Sequence, residues 1–180
     1  MAAGCDRQSS APGQASANRS DDSMANDDAS QPLHGSVDRS HAGEAAPDAR
    51  FTDPSGKSVT LAAFRGTPVL LNLWATWCPP CVAEMPTLDT LAGDLDGKVA
   101  LLAVSQDLGG KEQVAPFFAK HKFANLQPYL DQQLALSTRY GVNLPTTILY
   151  DANGKEIWRV TGGMDWTSEK ARTLIAEATR

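Results

Sequence analysis

Residues 68–81 read PVLLNLWATWCPPC, a short apolar run followed by two cysteines with two prolines between them. The continuous run 68–75 predicts a strand that is covered on both faces, as in the middle of a sheet. After the second cysteine, apolar residues recur at helical spacing: Met85, Leu88, Leu91 and Leu95. The cysteines are therefore predicted to lie where a buried strand meets the beginning of a helix.

Cys78 and Cys81 in that position predict a redox pair. The thiolate is the attacking species in disulfide exchange, and the free N–H groups and positive dipole end of a helix N-terminus stabilise its charge. We expect Cys78 to attack a substrate disulfide, and Cys81 to release the product by attacking the mixed disulfide. Pro79 and Pro80 remove two N–H groups, which favours a moderate pKa for Cys78 and a reductant rather than a strong oxidant.

The same pair has two other interpretations, a structural disulfide or half of a zinc site. Zinc would need further Cys or His ligands, and the folded part of the sequence offers only His121. Nearer the N-terminus, His34, His41 and Met24 match the spacing of no closed metal site. We therefore expect no metal and no cofactor.

The remaining pattern predicts an α/β fold, a mixed central sheet flanked by helices. A turn at 53–56 indicates an N-terminal hairpin, and Asn153-Gly154 indicates a two-residue hairpin loop. The closing helix is predicted to be capped by Thr167 or Ser168. In chain order, the predicted elements are a hairpin in 51–61, a strand in 99–105, helices in 111–123 and 130–142, strands in 145–151 and 156–162, and a helix in 167–180.

Length and composition limit the organisation of the chain. Its 180 residues suit one domain with a linking segment, and every Phe, Tyr and Trp lies at or after Phe51. The preceding residues, rich in Ser, Ala, Gly and Asp, bury too little apolar surface to offset chain entropy. We predict a disordered tether in 1–46 and a folded domain in 47–180.

The net charge of −5, without clustered Lys or Arg, argues against nucleic-acid binding, and no apolar run approaches the roughly 18 residues of a membrane span.

The opening residues MAAGC place small residues directly before Cys5, an order that resembles the end of a bacterial lipoprotein signal. Cys5 is therefore a lipidation candidate, and Asp6 occupies the position that, in the resembled lipoproteins, is associated with retention at the inner membrane. The alternative is an incidental exposed cysteine. We expect contact with a membrane only through such a lipid or through a lost signal anchor.

The residues LLNLWATWCPPC, Pro86 five positions after Cys81, and GVNLPTT resemble the thioredoxin superfamily, over a match from about residue 46 to the end. Within that superfamily, CVAEMP, the central insertion and the ending DWTSEKARTLI are similar to the membrane-anchored, periplasm-facing TlpA-like and ResA-like thiol–disulfide oxidoreductases. The resemblance implies a thioredoxin-like fold with an N-terminal hairpin and a central insertion.

The resemblance also implies a substrate-binding face. Pro145 would be a cis-proline facing the disulfide, and the backbone of Leu144 would pair with an extended substrate segment. The alternative is a trans-proline that begins an edge strand. The remaining predicted substrate contacts are Trp77, as an apolar rim, Pro79 and Thr146. Trp74 is assigned to the core, whereas Met164 and Trp166 fit either the rim or the core.

Glu84, one helical turn after Cys81, is the candidate proton carrier. On the resemblance, it would be partly buried with a raised pKa, and would exchange a proton with Cys81. The alternative is a solvated glutamate in the first turn of a helix. Asn72 stands where thioredoxin has a buried Asp, and Thr146 stands where the cytochrome c maturation relative CcmG has a Glu, which weakens the prediction of a dedicated cytochrome c role.

These observations predict a periplasmic reductase, tethered to the inner membrane, that keeps cysteines reduced in copper-oxidase or cytochrome c assembly partners. Its partners would be protein disulfides and a membrane-bound electron donor, and a monomer is expected. The alternatives are a disulfide oxidase or isomerase, a thiol peroxidase, for which no supporting Arg follows Cys78 closely, and a binding module for a metalloprotein whose redox chemistry is vestigial.

Overall fold

The computed structural model describes residues 33–179, which form an eight-stranded mixed sheet with helices on both faces. The strands are β1 (His34–Asp38), β2 (Phe51–Thr52), β3 (Ser58–Val59), β4 (Val69–Trp74), β5 (Ala100–Ser105), β6 (Pro128–Leu130), β7 (Thr146–Tyr150) and β8 (Glu156–Met164). The helices are α1 (Pro79–Asp94), α2 (Lys111–His121), α3 (Ala135–Tyr140) and α4 (Glu169–Ile175), and short 3₁₀ helices span Leu61–Phe64 and Ala176–Thr179.

The predicted central strand is confirmed. The sheet order is β1-β8-β7-β4-β5-β6-β2-β3, so β4 lies inside the sheet, parallel to β5 and antiparallel to β7. All six residues of β4 are buried, because side chains on both of its faces are covered. One core holds Trp74 with α1, α2 and α4, and the other holds Leu71 and Leu73 with α3. This packing fixes the end of β4, from which the cysteine loop leaves.

The predicted domain boundary after residue 46 lies inside the folded part of the chain. Strand β1 pairs with β8 as an edge strand, and Ala45 forms an isolated bridge with Lys155. Ladder hydrogen bonds come from the backbone, so the segment joins the sheet without an apolar run. A side chain at Gly35 would meet Val160 Cγ1 at 2.5 Å, so this close approach requires glycine. The proposed tether residues 1–32, with Cys5, Asp6 and Met24, lie outside the described residues.

The beginning of β1 lies beside the first turn of α1. An added Cβ at Gly163 would meet Leu33 Cδ2 at 2.7 Å and the carbonyl oxygen of Pro80 at 3.3 Å. His34 pairs with Met164 in the same part of the sheet. The described chain therefore enters the domain next to the residues that follow Cys78.

The hairpin between β7 and β8 and the cap of α4 are both present. The hairpin between β7 and β8 is present, but its loop has three residues rather than two, because Asp151 N–H donates to the carbonyl oxygen of Lys155 and Gly154 takes φ of 71°. The Asp151 carboxylate accepts the N–H groups of Asn153 and Lys155, which stabilises the longer turn. Ser168 caps α4 by accepting the N–H of Ala171, as predicted.

Within residues 33–179, no helix combines the length and the apolar character needed to cross a bilayer.

Candidate active site: a disulfide at the start of a helix

Cys78 and Cys81 form a disulfide at the N-terminus of α1. Cys78 is the N-cap residue, whereas Cys81 lies in the first turn, with 5.3 Å between their Cα atoms. Cys78 retains 4% of its exposure and Cys81 retains none. The prediction that Cys81 is the less accessible cysteine is therefore confirmed.

The loop that carries Cys78 is held by Asp107, a residue that the sequence analysis missed. The backbone N–H and the hydroxyl of Thr76 donate to the Asp107 carboxylate at 3.0 and 2.6 Å, and the Ser105 hydroxyl donates to it at 2.8 Å. Cys78 N–H donates to the carbonyl oxygen of Ala75. An acidic residue two positions after the predicted strand 99–105 was the available signal. These bonds fix the backbone on which Cys78 stands.

Few N–H groups remain at the beginning of α1. Pro79 and Pro80 occupy its first two positions and have no backbone N–H to donate. Of the first three helical residues, only Cys81 keeps a free donor. The helix dipole therefore acts on the Cys78 sulfur with less hydrogen bonding than a helix N-terminus ordinarily offers.

An open, mostly apolar groove lies beside the disulfide. The residues that line it are Trp77, Cys78, Pro79, Pro80, Gln106, Leu134, Ser137, Val142, Asn143 and Leu144. Trp77 is 65% exposed, and residues 142–144 of the loop before β7 also line the groove. The structure thus brings the predicted contacts Trp77, Pro79 and Leu144 together next to Cys78.

The Leu144–Pro145 peptide bond is cis, as the resemblance implied. Pro145 directly precedes β7, and its carbonyl oxygen accepts a hydrogen bond from the N–H of Gly162. Thr146 differs from its prediction as a substrate contact. It is fully buried, and its hydroxyl donates to the carbonyl oxygen of Asn143 at 2.6 Å. Because this bond closes the loop under Leu144, the Thr146 side chain positions the groove wall and does not face the groove.

Glu84 is fully buried, where the prediction was only partial burial. Its Oε1 accepts a hydrogen bond from Asn72 Nδ2 at 2.8 Å. Its Oε2 accepts from the N–H of Met164 at 3.0 Å and from Trp166 Nε1 at 3.1 Å. The side chains of Met164 and Trp166 are buried, so both belong to the core and not to the rim.

Burial raises the pKa of Glu84 from 4.5 to about 7, because the charged carboxylate loses its hydration. The hydrogen bonds from Met164, Asn72 and Trp166 favour the charged form and limit the rise. Both protonation states are therefore populated near neutral pH. Asn72 does not titrate, but it orients the carboxyl and also donates to Thr147 Oγ1 at 2.9 Å. Glu84 is thus the buried titratable group one helical turn from Cys81.

A disulfide at the start of a helix, preceded by a buried central strand and faced by a cis-proline loop, defines a thiol–disulfide oxidoreductase of thioredoxin-like fold. The Redoxin family model matches residues 41–175. The chain belongs to the Redoxin family, and its similarities are those of a ResA-like member of the thioredoxin superfamily.

Among curated relatives, the thiol-disulfide oxidoreductase ResA of Geobacillus thermodenitrificans is 37% identical over 68% of this chain and 70% of its own. Among solved structures, a protein of Chlorobium tepidum assigned as the thiol:disulfide interchange protein DsbE is 27% identical, with a TM-score of 0.68 over 77% of this chain and 98% of its own. The pneumococcal exposed lipoprotein thioredoxin Etrx1 of Streptococcus pneumoniae is 28% identical, with a TM-score of 0.59 over 73% of this chain and 99% of its own.

The part of the chain that the structure describes contains no group of three or more His, Cys, Asp and Glu side chains that could hold a metal ion.

Proposed function

We propose that this thiol–disulfide oxidoreductase works as a reductant of protein disulfides. The observation that supports reduction over oxidation of substrate disulfides is the shortage of N–H donors around Cys78, since Pro79 and Pro80 supply none. A couple becomes strongly oxidising when its reduced form is well stabilised. Weak stabilisation of a Cys78 thiolate therefore favours a low reduction potential.

The reaction begins with the Cys78 thiolate, which attacks one sulfur of a substrate disulfide. The substrate S–S bond breaks, a mixed disulfide forms, and the first substrate thiolate leaves. Cys81 then loses its proton and attacks the Cys78 sulfur, which expels the second substrate thiolate. The substrate gains two electrons and is released as two thiolates, which take up protons from water, and the enzyme is left with the Cys78–Cys81 disulfide.

Glu84 is proposed to take the proton of Cys81 in the second step and to return it when the enzyme is reduced again. Its support is the position one turn from Cys81 and a pKa of about 7, which lets the carboxyl exchange protons near neutral pH. Asn72 and Trp166 hold its two oxygens in one orientation. The carboxyl is closed to solvent, so the buried thiol has an internal proton partner.

Substrates are proposed to bind along the groove as an extended segment. The Leu144 backbone would pair with that segment, while Trp77 and Pro79 would contact its side chains next to the scissile disulfide. Pro145 would present Leu144 in the required orientation. A mostly apolar lining accepts different sequences, because it makes few directional demands on the side chains.

The setting is proposed to be the periplasm, with the domain tethered to the inner membrane through a lipid on Cys5 or through a signal anchor. The MAAGC opening supports this, and Etrx1, a similar structure, is itself described as an exposed lipoprotein.

The proposed substrates are assembly partners of copper oxidases or cytochromes c, whose metal or haem ligation requires reduced cysteines. A membrane-bound dithiol donor would reduce the enzyme again, and the enzyme would act as a monomer.

The test of the direction is the equilibrium reduction potential of the Cys78–Cys81 couple in dithiothreitol or glutathione buffers, read by Trp fluorescence or alkylation. A value near or below roughly −230 mV is expected for a reductant. A value of roughly −120 to −150 mV would reverse the direction and favour the oxidase or isomerase.

A further inference from the structure

Gln106 is a buried polar residue whose side chain has no hydrogen-bond partner among the described residues. It is 2% exposed, and neither amide atom, Oε1 or Nε2, has a hydrogen-bond partner within residues 33–179. A buried polar group without a partner is costly, and such groups in native proteins call for a functional or structural explanation. The state captured here has the Cys78–Cys81 disulfide closed. A partner that forms only when the disulfide opens would explain the arrangement.

The backbone holds Gln106 next to the cysteine loop. Its N–H donates to the carbonyl oxygen of Trp74, at the end of the strand that leads to Cys78. The next residue, Asp107, accepts the hydrogen bonds from Thr76 that fix the same loop. Gln106 itself lines the groove together with Cys78. Both residues therefore belong to one rigid frame.

We infer that, once the disulfide is opened, Gln106 Nε2 donates a hydrogen bond to the Cys78 thiolate. This inference rests on the proposed role of Cys78 as the attacking cysteine. The amide NH₂ group would replace part of the hydrogen bonding that Pro79 and Pro80 remove from the beginning of α1. Hydrogen bonds to a charged group are stronger than neutral ones, so a single amide has a measurable effect on the thiolate.

The charged groups around Cys78 do not supply this stabilisation. The groove-lining residues carry no charged side chain in the part of the chain that the structure describes. On α1 the nearest carboxyl is that of Glu84, and after β5 it is that of Asp107. Negative charge on either would oppose a thiolate. On α3, Arg139 is exposed and is not among the groove-lining residues, and 141–146 contain no charged residue. A neutral donor such as Gln106 therefore remains.

The redox step is balanced by an external dithiol. The dithiol gives two electrons to the Cys78–Cys81 bond and becomes a disulfide. Of the two protons that the dithiol loses, one goes to the Cys81 sulfur and the other to solvent, so Cys78 is left as the thiolate. Gln106 donates its hydrogen bond to that thiolate and transfers neither a proton nor an electron. The hydrogen bond consequently stabilises the reduced enzyme relative to the oxidised one.

The experiment compares Gln106→Met with Gln133→Met. Methionine keeps the approximate length of the side chain but cannot donate, and Gln133 is an exposed glutamine that does not line the groove. The difference in ultraviolet thiolate absorbance between each reduced protein and its Cys78→Ser form, followed against pH, gives the pKa of Cys78. We expect Gln106→Met to raise the pKa of Cys78 by about one unit, which is a tenfold lower acid dissociation constant. At a pH above both pKa values, the reduction potential should become more negative by about 30 mV, and Gln133→Met should change neither quantity.

An unchanged pKa of Cys78 in Gln106→Met would overturn the inference. If the KM for a peptide disulfide also rose in that variant, the amide would instead bind the substrate main chain. Reduction of protein disulfides by the unaltered enzyme tests the proposed function separately, and it can succeed when this inference fails. If Gln106→Met does not fold, the side-chain amide resonances of Gln106 in the reduced unaltered protein decide. They should follow the titration of Cys78, and their failure to do so would also overturn the inference.

Discussion

Cys78 and Cys81 are separated by only two residues, yet the structure gives their sulfur atoms opposite surroundings. Cys78 borders an open groove, where the neighbouring residues are apolar or neutral. Cys81 is closed to solvent inside the first turn of α1, one turn from the buried carboxyl of Glu84. Access and proton exchange are thereby divided between the two ends of one disulfide. A single helical turn is enough for this division, because one cysteine caps the helix and the other faces the core.

Replacing either cysteine has the largest expected effect and tests the division directly. Cys78→Ser should abolish reduction of a protein disulfide, because the accessible nucleophile is lost. Cys81→Ser should still attack but should accumulate a mixed disulfide, because the resolving thiol is missing. Non-reducing electrophoresis and mass spectrometry after mixing with a disulfide substrate distinguish the two. Accumulation of the mixed disulfide in Cys78→Ser instead would reverse the assignment.

Glu84→Gln tests the buried side of the comparison through pH dependence. The carboxyl has a pKa of about 7 in the folded protein against an ordinary value of 4.5, so between these values the folded state binds more protons than the unfolded state. The free energy of unfolding of the unaltered protein should therefore fall as pH rises through this window, by about 3 kcal/mol from this group. Glu84→Gln should lack that contribution, and its resolving step should be slower by about a hundredfold.

The control for Glu84→Gln is Glu112→Gln, which changes an exposed carboxyl in the first turn of α2. Urea unfolding at several pH values and single-turnover decay of the mixed disulfide measure the two effects. If Glu84→Gln and the unaltered protein show the same pH dependence of unfolding, the carboxyl is not the buried proton carrier.

Trp77→Ala gives the smallest expected effect and tests the groove side. Loss of the exposed indole should raise the KM for a protein disulfide about fivefold, which corresponds to about 1 kcal/mol of binding free energy. Reduction of the enzyme disulfide by dithiothreitol should be nearly unchanged. Leu108→Ala is the matched control, since Leu108 is 68% exposed but is not one of the groove-lining residues. Equal increases in KM for both variants would indicate general surface hydrophobicity and not a groove contact.

The sequence was most informative where function depends on local order. The run into β4, the two cysteines at the start of α1 and the burial of Trp74 all follow from periodicity and spacing over a few residues. The cis peptide before Pro145 and the raised pKa of Glu84 were accessible through resemblance, since base rates alone favour a trans-proline and a solvated glutamate.

The parts that could not be predicted depend on contacts between distant residues. Thr76 and Asp107 are 31 positions apart, and Glu84 and Trp166 are 82 positions apart, so no local pattern links them. Strand β1 was missed for a different reason. Its sequence HGSVD lacks apolar alternation, and it joins the sheet through backbone hydrogen bonds at the edge.

The proximity of Leu33 to Pro80 affects how far the groove can lie from an attachment on the N-terminal segment. The chain enters the domain on the side that carries the disulfide, so an attachment made anywhere before residue 33 needs no extra length to pass around the domain. If Cys5 is that attachment, the span from it to Leu33 is at most about 100 Å when fully extended, and this sets the largest distance from the anchor at which the groove can meet a partner. The enzyme would then select among substrates by their height above the surface that holds it, before any side chain of the groove makes contact.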